Sequence, residues 1–243
     1  TLLFSLLLAG MCFGQTTERV NVDSLGAEAD YHSQSPSISA DGRYVAFDSS
    51  ATNLVPGDTS GTYDIFVHDR QTGVTERVSV DSLGAEANDN SFSPSVSADG
   101  RYVAFESVAT NLVPGDSGWD RDIFVHDRQT GVTERVSVDS LGREGDWTSI
   151  ESSMSADGRY VAFVSKASNL VLGDTNGTND IFVHDRQTGV TERVSVDSLG
   201  AEAYQSSYGP SVSADGRYVA FESDATNLVP GDTNGQTDIF VHD

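Results

Sequence analysis

The sequence predicts an all-β fold, a β-propeller built of four-stranded antiparallel blades, with about four blades in this chain. Three observations carry that expectation: long strings recur at one shared spacing, each recurrence holds four short apolar-rich runs joined by turn residues, and those runs are apolar on both faces. TERVNVDSLG begins at Thr17, and TERVSVDSLG begins at Thr75, Thr133 and Thr191. SADGRYVAF begins at Ser39, Ser97, Ser155 and Ser213, and DIFVHD at Asp64, Asp122, Asp180 and Asp238. Every step is 58 residues, so the repeats fill 15–243 in periods starting near 17, 75, 133 and 191. A period of that size marks a stacked or circular array.

Within a period the elements read in order. Strand a is Pro-Ser-Ile/Val-Ser, as at Pro36 to Ser39, and strand b is RYVAFES, as at Arg101 to Ser107. They are joined through Ala40-Asp41-Gly42, where Asp-Gly supplies the positive φ that a tight hairpin needs. Strand c is DIFVHD and strand d is VTERVSV, as at Val74 to Val80, joined by Arg70 to Gly73. The runs are rich in Val, Ile, Phe and Tyr and too short for helices. Both joints are local, so the four strands form one meander.

The side chains dictate how meanders combine. In strand b, Val45 and Phe47 point one way while Tyr44 and Ala46 point the other; in strand c, Ile65 and Val67 oppose Phe66. Exposing either face would forfeit about 1.5–3 kcal/mol per large apolar side chain. Neighbouring copies must cover both. A two-sheet sandwich would leave one face of each sheet bare, and a β-solenoid uses shorter coils.

The phrase S-x-S-A-D-G-R-Y-V-A-F-x-S followed by D-I-F-V-H-D resembles the TolB-type, WD-like propeller repeat, and Ser213 to Phe221 with Asp238 to Asp243 match it well. Ala214 stands where that family has Pro. The resemblance covers Thr17 to Asp243 and implies fold; on activity it is nearly silent, because the fold hosts many functions. The chain opens on a strand d and stops after a strand c. Either the first strand d completes the last blade in a four-bladed ring, or the chain is a piece of a longer propeller; the second reading is preferred.

Residues 1–14, TLLFSLLLAGMCFG, read as the incomplete back half of a signal peptide. The expected location is therefore exported: periplasmic, cell-surface or secreted. Cys12, the only cysteine, lies in that leader, so the mature chain would have no disulfide. The net charge of −23 excludes nucleic acid as a partner, and no stable membrane insertion of the mature chain is expected. A monomer is expected.

In a blade of this kind the b–c and d–a connections emerge at one end and the tight a–b and c–d turns at the other, which places function on the long-loop face. In the b–c loops, Asp58, Asp64, Asp116, Asp122, Asp174, Asn176, Asp180, Asp232, Asn234 and Asp238 form the candidate cation set. Asp174-Thr175-Asn176-Gly177 through Asp180 follows the grammar of a short calcium loop, with hard oxygens on alternate residues and Gly at the bend, but lacks the distal bidentate Glu of an EF-hand. The alternative is a turn made by Asn and Gly, with the final Asp capping strand c through backbone N–H groups. No cofactor other than Ca²⁺ is suggested.

The d–a connections diverge most between copies while keeping aromatic residues. With the neighbouring loop they give the candidate partner surface: Tyr31, His32, Tyr63, Phe92, Trp119, Trp147, Tyr204 and Tyr208. Gly115-Asp116-Ser117-Gly118 invites a serine-hydrolase reading, but the slot is a repeated turn. His68, His126, His184 and His242 share one strand position and read as packing residues, since a group needed once for catalysis would not recur four times. The expected function is non-enzymatic: binding or scaffolding of a protein, peptide or glycan. The alternatives are the propeller of a larger hydrolase, such as a prolyl-peptidase-like enzyme, and a purely structural surface repeat.

Overall fold

The computed structural model describes residues 16–58, 60–116 and 118–243. The expected leader with Cys12, and Ser117, lie outside the described residues. Among the described residues, fifteen strands group into four separate antiparallel sheets. The first holds β1 (Ser33–Ile38), β2 (Tyr44–Ser49), β3 (Asp64–Asp69) and β4 (Val74–Arg77). The second holds β5 (Ser91–Val96), β6 (Tyr102–Ser107), β7 (Asp122–Asp127) and β8 (Val132–Arg135). The third holds β9 (Ser149–Met154), β10 (Tyr160–Ser165), β11 (Asp180–Asp185) and β12 (Val190–Arg193). The fourth holds β13 (Ser207–Val212), β14 (Val219–Ser223) and β15 (Asp238–His242).

Strands b and c form where the sequence predicts, and two boundaries differ. Strand a starts earlier and carries a bulge, between Gln34 and Ser37 in β1, with left-handed Ser35, Ser93 and Glu151 at the same slot. Strand d stops at Arg77 rather than Val80. There Ile65 N donates to the Ser79 hydroxyl (3.1 Å) instead of to a backbone carbonyl, and Val80 turns away to bridge Glu86. A side chain has replaced a rung of the ladder.

The two-sided pattern is satisfied by stacking. One face of the first sheet, Ala46, Ile65 and Val67, packs on Val103, Phe105 and Phe124 of the second. Ala104, Ile123 and Val125 pack in turn on Val161, Phe163 and Phe182, and Ala162, Ile181 and Val183 pack on Val219 and Phe221. Strands β1, β5, β9 and β13 touch in succession, so the first strands form the inner edge and the last strands lie outside, as blades do about an axis. The fourth sheet has three strands, and on its far face Ile239 and Val241 are 74% and 66% exposed. Residues 16–20 do not pair with β15. Glu18 instead meets Arg70, as Glu76 meets Arg128 and Glu134 meets Arg186, so the segment lies beside the first sheet in the place of a preceding strand d.

The ends of the blades separate as expected. At one end the tight turns interlock: Arg43 pairs with Asp69 (2.7 Å), and Ala40 N donates to Ala98 O of the next turn (3.0 Å). Gly158 has φ +72°, and a Cβ there would meet the Tyr102 ring at 2.4 Å; that ring is held by the Arg101 and Arg186 guanidiniums. Gly42, with φ +73°, faces only the Arg70 side-chain tip at 3.5 Å and Ile38 at 3.9 Å. Gly42→Ala is therefore expected to cost about 1–2 kcal/mol, from backbone strain alone. Gly158→Ala is expected to cost clearly more, because a ring must also leave its slot. Chemical denaturation of both variants tests the order.

Candidate functional site

At the other end the b–c and d–a connections meet. Each d–a connection opens with an Asp-Ser-Leu-Gly turn pinned by its own Asp: Asp23 Oδ1 accepts from Leu25 N and Ala27 N, both at 2.8 Å, and Asp81, Asp139 and Asp197 repeat the arrangement. The turn holds a leucine at its apex. Leu25, Leu83, Leu141 and Leu199 are 95, 94, 80 and 94% exposed. Further on, the two connections are tied together: Ser91 N donates to Tyr63 O (2.7 Å), Ser149 N to Arg121 O (2.7 Å) and Ser207 N to Asn179 O (2.8 Å).

The acidic residues of the b–c loops converge, and a guanidinium sits among them. Arg77 Nη1 lies 2.8 Å from Glu86, 3.5 Å from Asp58 and 3.6 Å from Asp64. Arg135 stands 3.3, 3.2 and 3.0 Å from Asp116, Asp122 and Glu144. Arg193 stands 3.4, 3.5 and 2.9 Å from Asp174, Asp180 and Glu202. Asp232 and Asp238 have no such arginine partner among the described residues.

In the first three loops the final Asp bonds a hydroxyl. Asp64 Oδ1 accepts from the Ser79 hydroxyl (2.6 Å), Asp122 from Ser137 (2.6 Å) and Asp180 from Ser195 (2.5 Å), which fastens strand c to the segment just after strand d. Asn176 acts as a turn residue: its Oδ1 accepts from Thr178 N (2.9 Å) and its amide donates to Asp180 and to Ala203 O, both at 2.9 Å. Asn234 does the same with Gln236 N (2.7 Å) and Asp238 (3.0 Å).

Burial decides the electrostatics. It pushes the Asp64 carboxyl up to about 7, and Asp122 and Asp174 up to about 6. At the opposite end the hydrogen-bonded guanidiniums of Arg43, Arg101 and Arg159 hold Asp69, Asp127 and Asp185 well below the usual carboxylate range. A raised carboxyl means that the unfolded chain gives up its proton first, so stability is lost as pH climbs from about 4 towards 7. A depressed carboxyl contributes stability above about 4 that is lost as pH falls through its folded value. The expected result is a melting temperature highest near pH ~5, dropping by roughly 5–10 °C by pH 8, as calorimetry at constant ionic strength would record.

The aromatic candidates divide. Tyr31, Trp119, Trp147 and Tyr204 are 66, 82, 54 and 70% exposed, and His32 stands edge-on to Tyr31. Phe92 and Tyr208 belong to β5 and β13 rather than to loops and are half-buried; Phe92 packs beside Tyr63 (5.5 Å) beneath the Arg121 guanidinium (5.0 Å). Strand a begins earlier than its sequence suggests, which draws these two rings inward. His68, His126 and His184 are buried, each Nδ1 2.8 Å from the Thr hydroxyl of the adjacent strand d, at Thr75, Thr133 and Thr191. Sequence reasoning missed the arginines and glutamates of the acidic clusters and the exposed leucines, although all recur every 58 residues.

Several solved structures share the architecture. TolB from Acinetobacter baumannii is 20% identical, with 90% of this chain and 42% of that chain covered at a TM-score of 0.50. A TolB structure from Agrobacterium tumefaciens is 18% identical, covering 87% and 58% at 0.50. The β-propeller domain of the Trilobed protease from Pyrococcus furiosus is 14% identical, covering 88% and 55% at 0.52. The chain thus spans about half the length of these structures. No family model and no curated protein sequence matches it. Meandering sheets stacked face to face about a shared inner edge, here as there, make the chain an arc of β-propeller blades with the TolB-like repeat fold.

Proposed function

We propose that the chain is an exported, non-enzymatic binding module that holds a protein, peptide or glycan on its long-loop face. The observation that carries this is the exposure of Tyr31, Trp119, Trp147 and Tyr204 on loops that vary while the blades beneath are nearly copied. Large rings left in water are unfavourable unless used, and aromatic residues anchor interfaces. No helix among the described residues is long and apolar enough to cross a membrane. The test is an array of peptides and glycans read with two variant sets. Replacing Tyr31, Trp119, Trp147 and Tyr204 by Ala should abolish binding, while replacing Gln129 and Gln187 at the tight-turn end should leave it intact. Binding that survives the first set and is lost in the second refutes the face assignment.

Weak calcium binding belongs to this proposal. Three carboxylates share one guanidinium in each cluster, the donors are hard oxygens, and two negative charges are left over. Since the arginine takes the centre, an ion would have to enter at the rim. Melting in millimolar calcium against chelator measures it, and identical curves would remove it. A second reading, the propeller of a larger hydrolase, is favoured by the likeness to the propeller domain of the Trilobed protease. The full open reading frame decides it, since an adjoining hydrolase domain must be encoded.

A further inference from the structure

The arginines fall almost entirely in repeated slots: Arg19, Arg77, Arg135 and Arg193; Arg43, Arg101, Arg159 and Arg217; Arg70, Arg128 and Arg186. Three cations stand outside any such slot, Arg121, Arg143 and the only lysine, Lys166. These three and both tryptophans sit on segments that converge where the second and third blades meet. Thr148 donates to Asp120 Oδ1 (3.1 Å), and Ser149 N donates to Arg121 O (2.7 Å). The two segments therefore advance in step, which brings positions 119 and 147 to the same level of the two connections. Lys166 N donates to Thr148 O, and its ammonium lies 5.5 Å from the centre of the Trp147 ring.

The backbone differs between copies where the first indole stands. In the other three copies the slot of Trp119 is a left-handed glycine, Gly61, Gly177 or Gly235, with φ of +64°, +65° and +62°. Trp119 is not left-handed. The surrounding charges are largely committed: Arg121 to Glu106 (3.1 Å), Arg143 to Asp139 (2.6 Å) and Asp146 to Ser168 (2.7 Å). Lys166 is exposed and has no carboxylate at ion-pair distance among the described residues.

We propose that Trp119 and Trp147, with Lys166 beside them, form a subsite for acidic saccharides, chains of sugar rings that carry carboxylates. The proposal rests on the long-loop face being a recognition surface. Flat indoles in water match the C–H faces of sugar rings. On a chain of net charge −23, Lys166 is an exposed ammonium with no carboxylate at ion-pair distance among the described residues, and it provides the charge contact for an anionic ligand.

The chain has two tryptophans, both at this junction, so its indole emission reports the subsite directly. The full chain is titrated with alginate hexasaccharide and with cellohexaose. Saturable quenching is expected with the acidic sugar, at least ~10-fold weaker with the neutral one, and at least ~10-fold weakened by Lys166→Gln or Trp147→Ala. Calorimetry extends the comparison to the Trp119→Ala/Trp147→Ala double variant. Gln129→Ala and Gln187→Ala, at the tight-turn end, should bind as the parent does. Retention of binding in the double tryptophan variant with loss in Tyr31→Ala or Tyr204→Ala overturns the subsite and leaves the face standing. If neither sugar binds while an array peptide does so through the same face, the saccharide assignment is overturned alone. If no ligand of any class depends on the long-loop face, both readings fall.

Discussion

Arg135→Gln is expected to destabilise the chain by roughly 3–5 kcal/mol, enough to threaten folding at 37 °C. Arg135 is nearly buried and lies within 3.3 Å of Asp116, Asp122 and Glu144, which come from the b–c loop, strand c and the d–a connection. Removing the guanidinium leaves three carboxylates facing each other with little water. Burial and mutual repulsion then act in one direction on the Asp116 and Asp122 carboxyls, raising both further. The variant should regain part of its loss below about pH 5, where protonation removes the repulsion. Urea melts at pH 5 and pH 8 test this. A variant as stable as the parent at pH 8 would mean that the cluster is solvated and that the arginine does not organise it.

Ile123→Ala and Ile239→Ala should differ widely although the residues occupy one slot in one repeated string. Ile123 is fully buried between the second and third blades, and its truncation should cost about 2–4 kcal/mol. Ile239 is 74% exposed on the far face of the fourth sheet, so the same change should cost under ~0.5 kcal/mol. Local sequence is nearly constant between the two, so propensity cannot produce the difference. Equal losses would show that the far face of the fourth sheet is covered in solution.

The fold was legible because the same residues recur with the same alternation. Val45 and Phe47 against Tyr44 and Ala46 demand two covering neighbours, and a run of such sheets has few ways to provide them. The strand a boundary was not legible, since a bulge at Ser35 carries no apolar signal and depends on left-handed backbone at non-glycine residues. The candidate cation loops were legible as clusters of oxygens but not as ion-paired ones. Arg77 and Glu86 lie 13 and 22 positions beyond Asp64, and only the return of strand d and the d–a connection brings them to it. Tyr208 and Phe92 were read as loop aromatics for the same reason that strand a was read short. The convergence of Trp119, Trp147 and Lys166 required knowing which loops are tied together.

Hydrogen exchange of the four DIFVH segments tests most directly whether mutual covering of sheets organises the molecule. Their flanking residues, Tyr63, Arg121, Asn179 and Thr237, make the peptides distinguishable by mass. Amides of 65–68, 123–126 and 181–184 should exchange only with global unfolding, while those of 239–242 exchange at least ~100-fold faster. Equal protection in all four would contradict the account, because identical strings would then be equally covered.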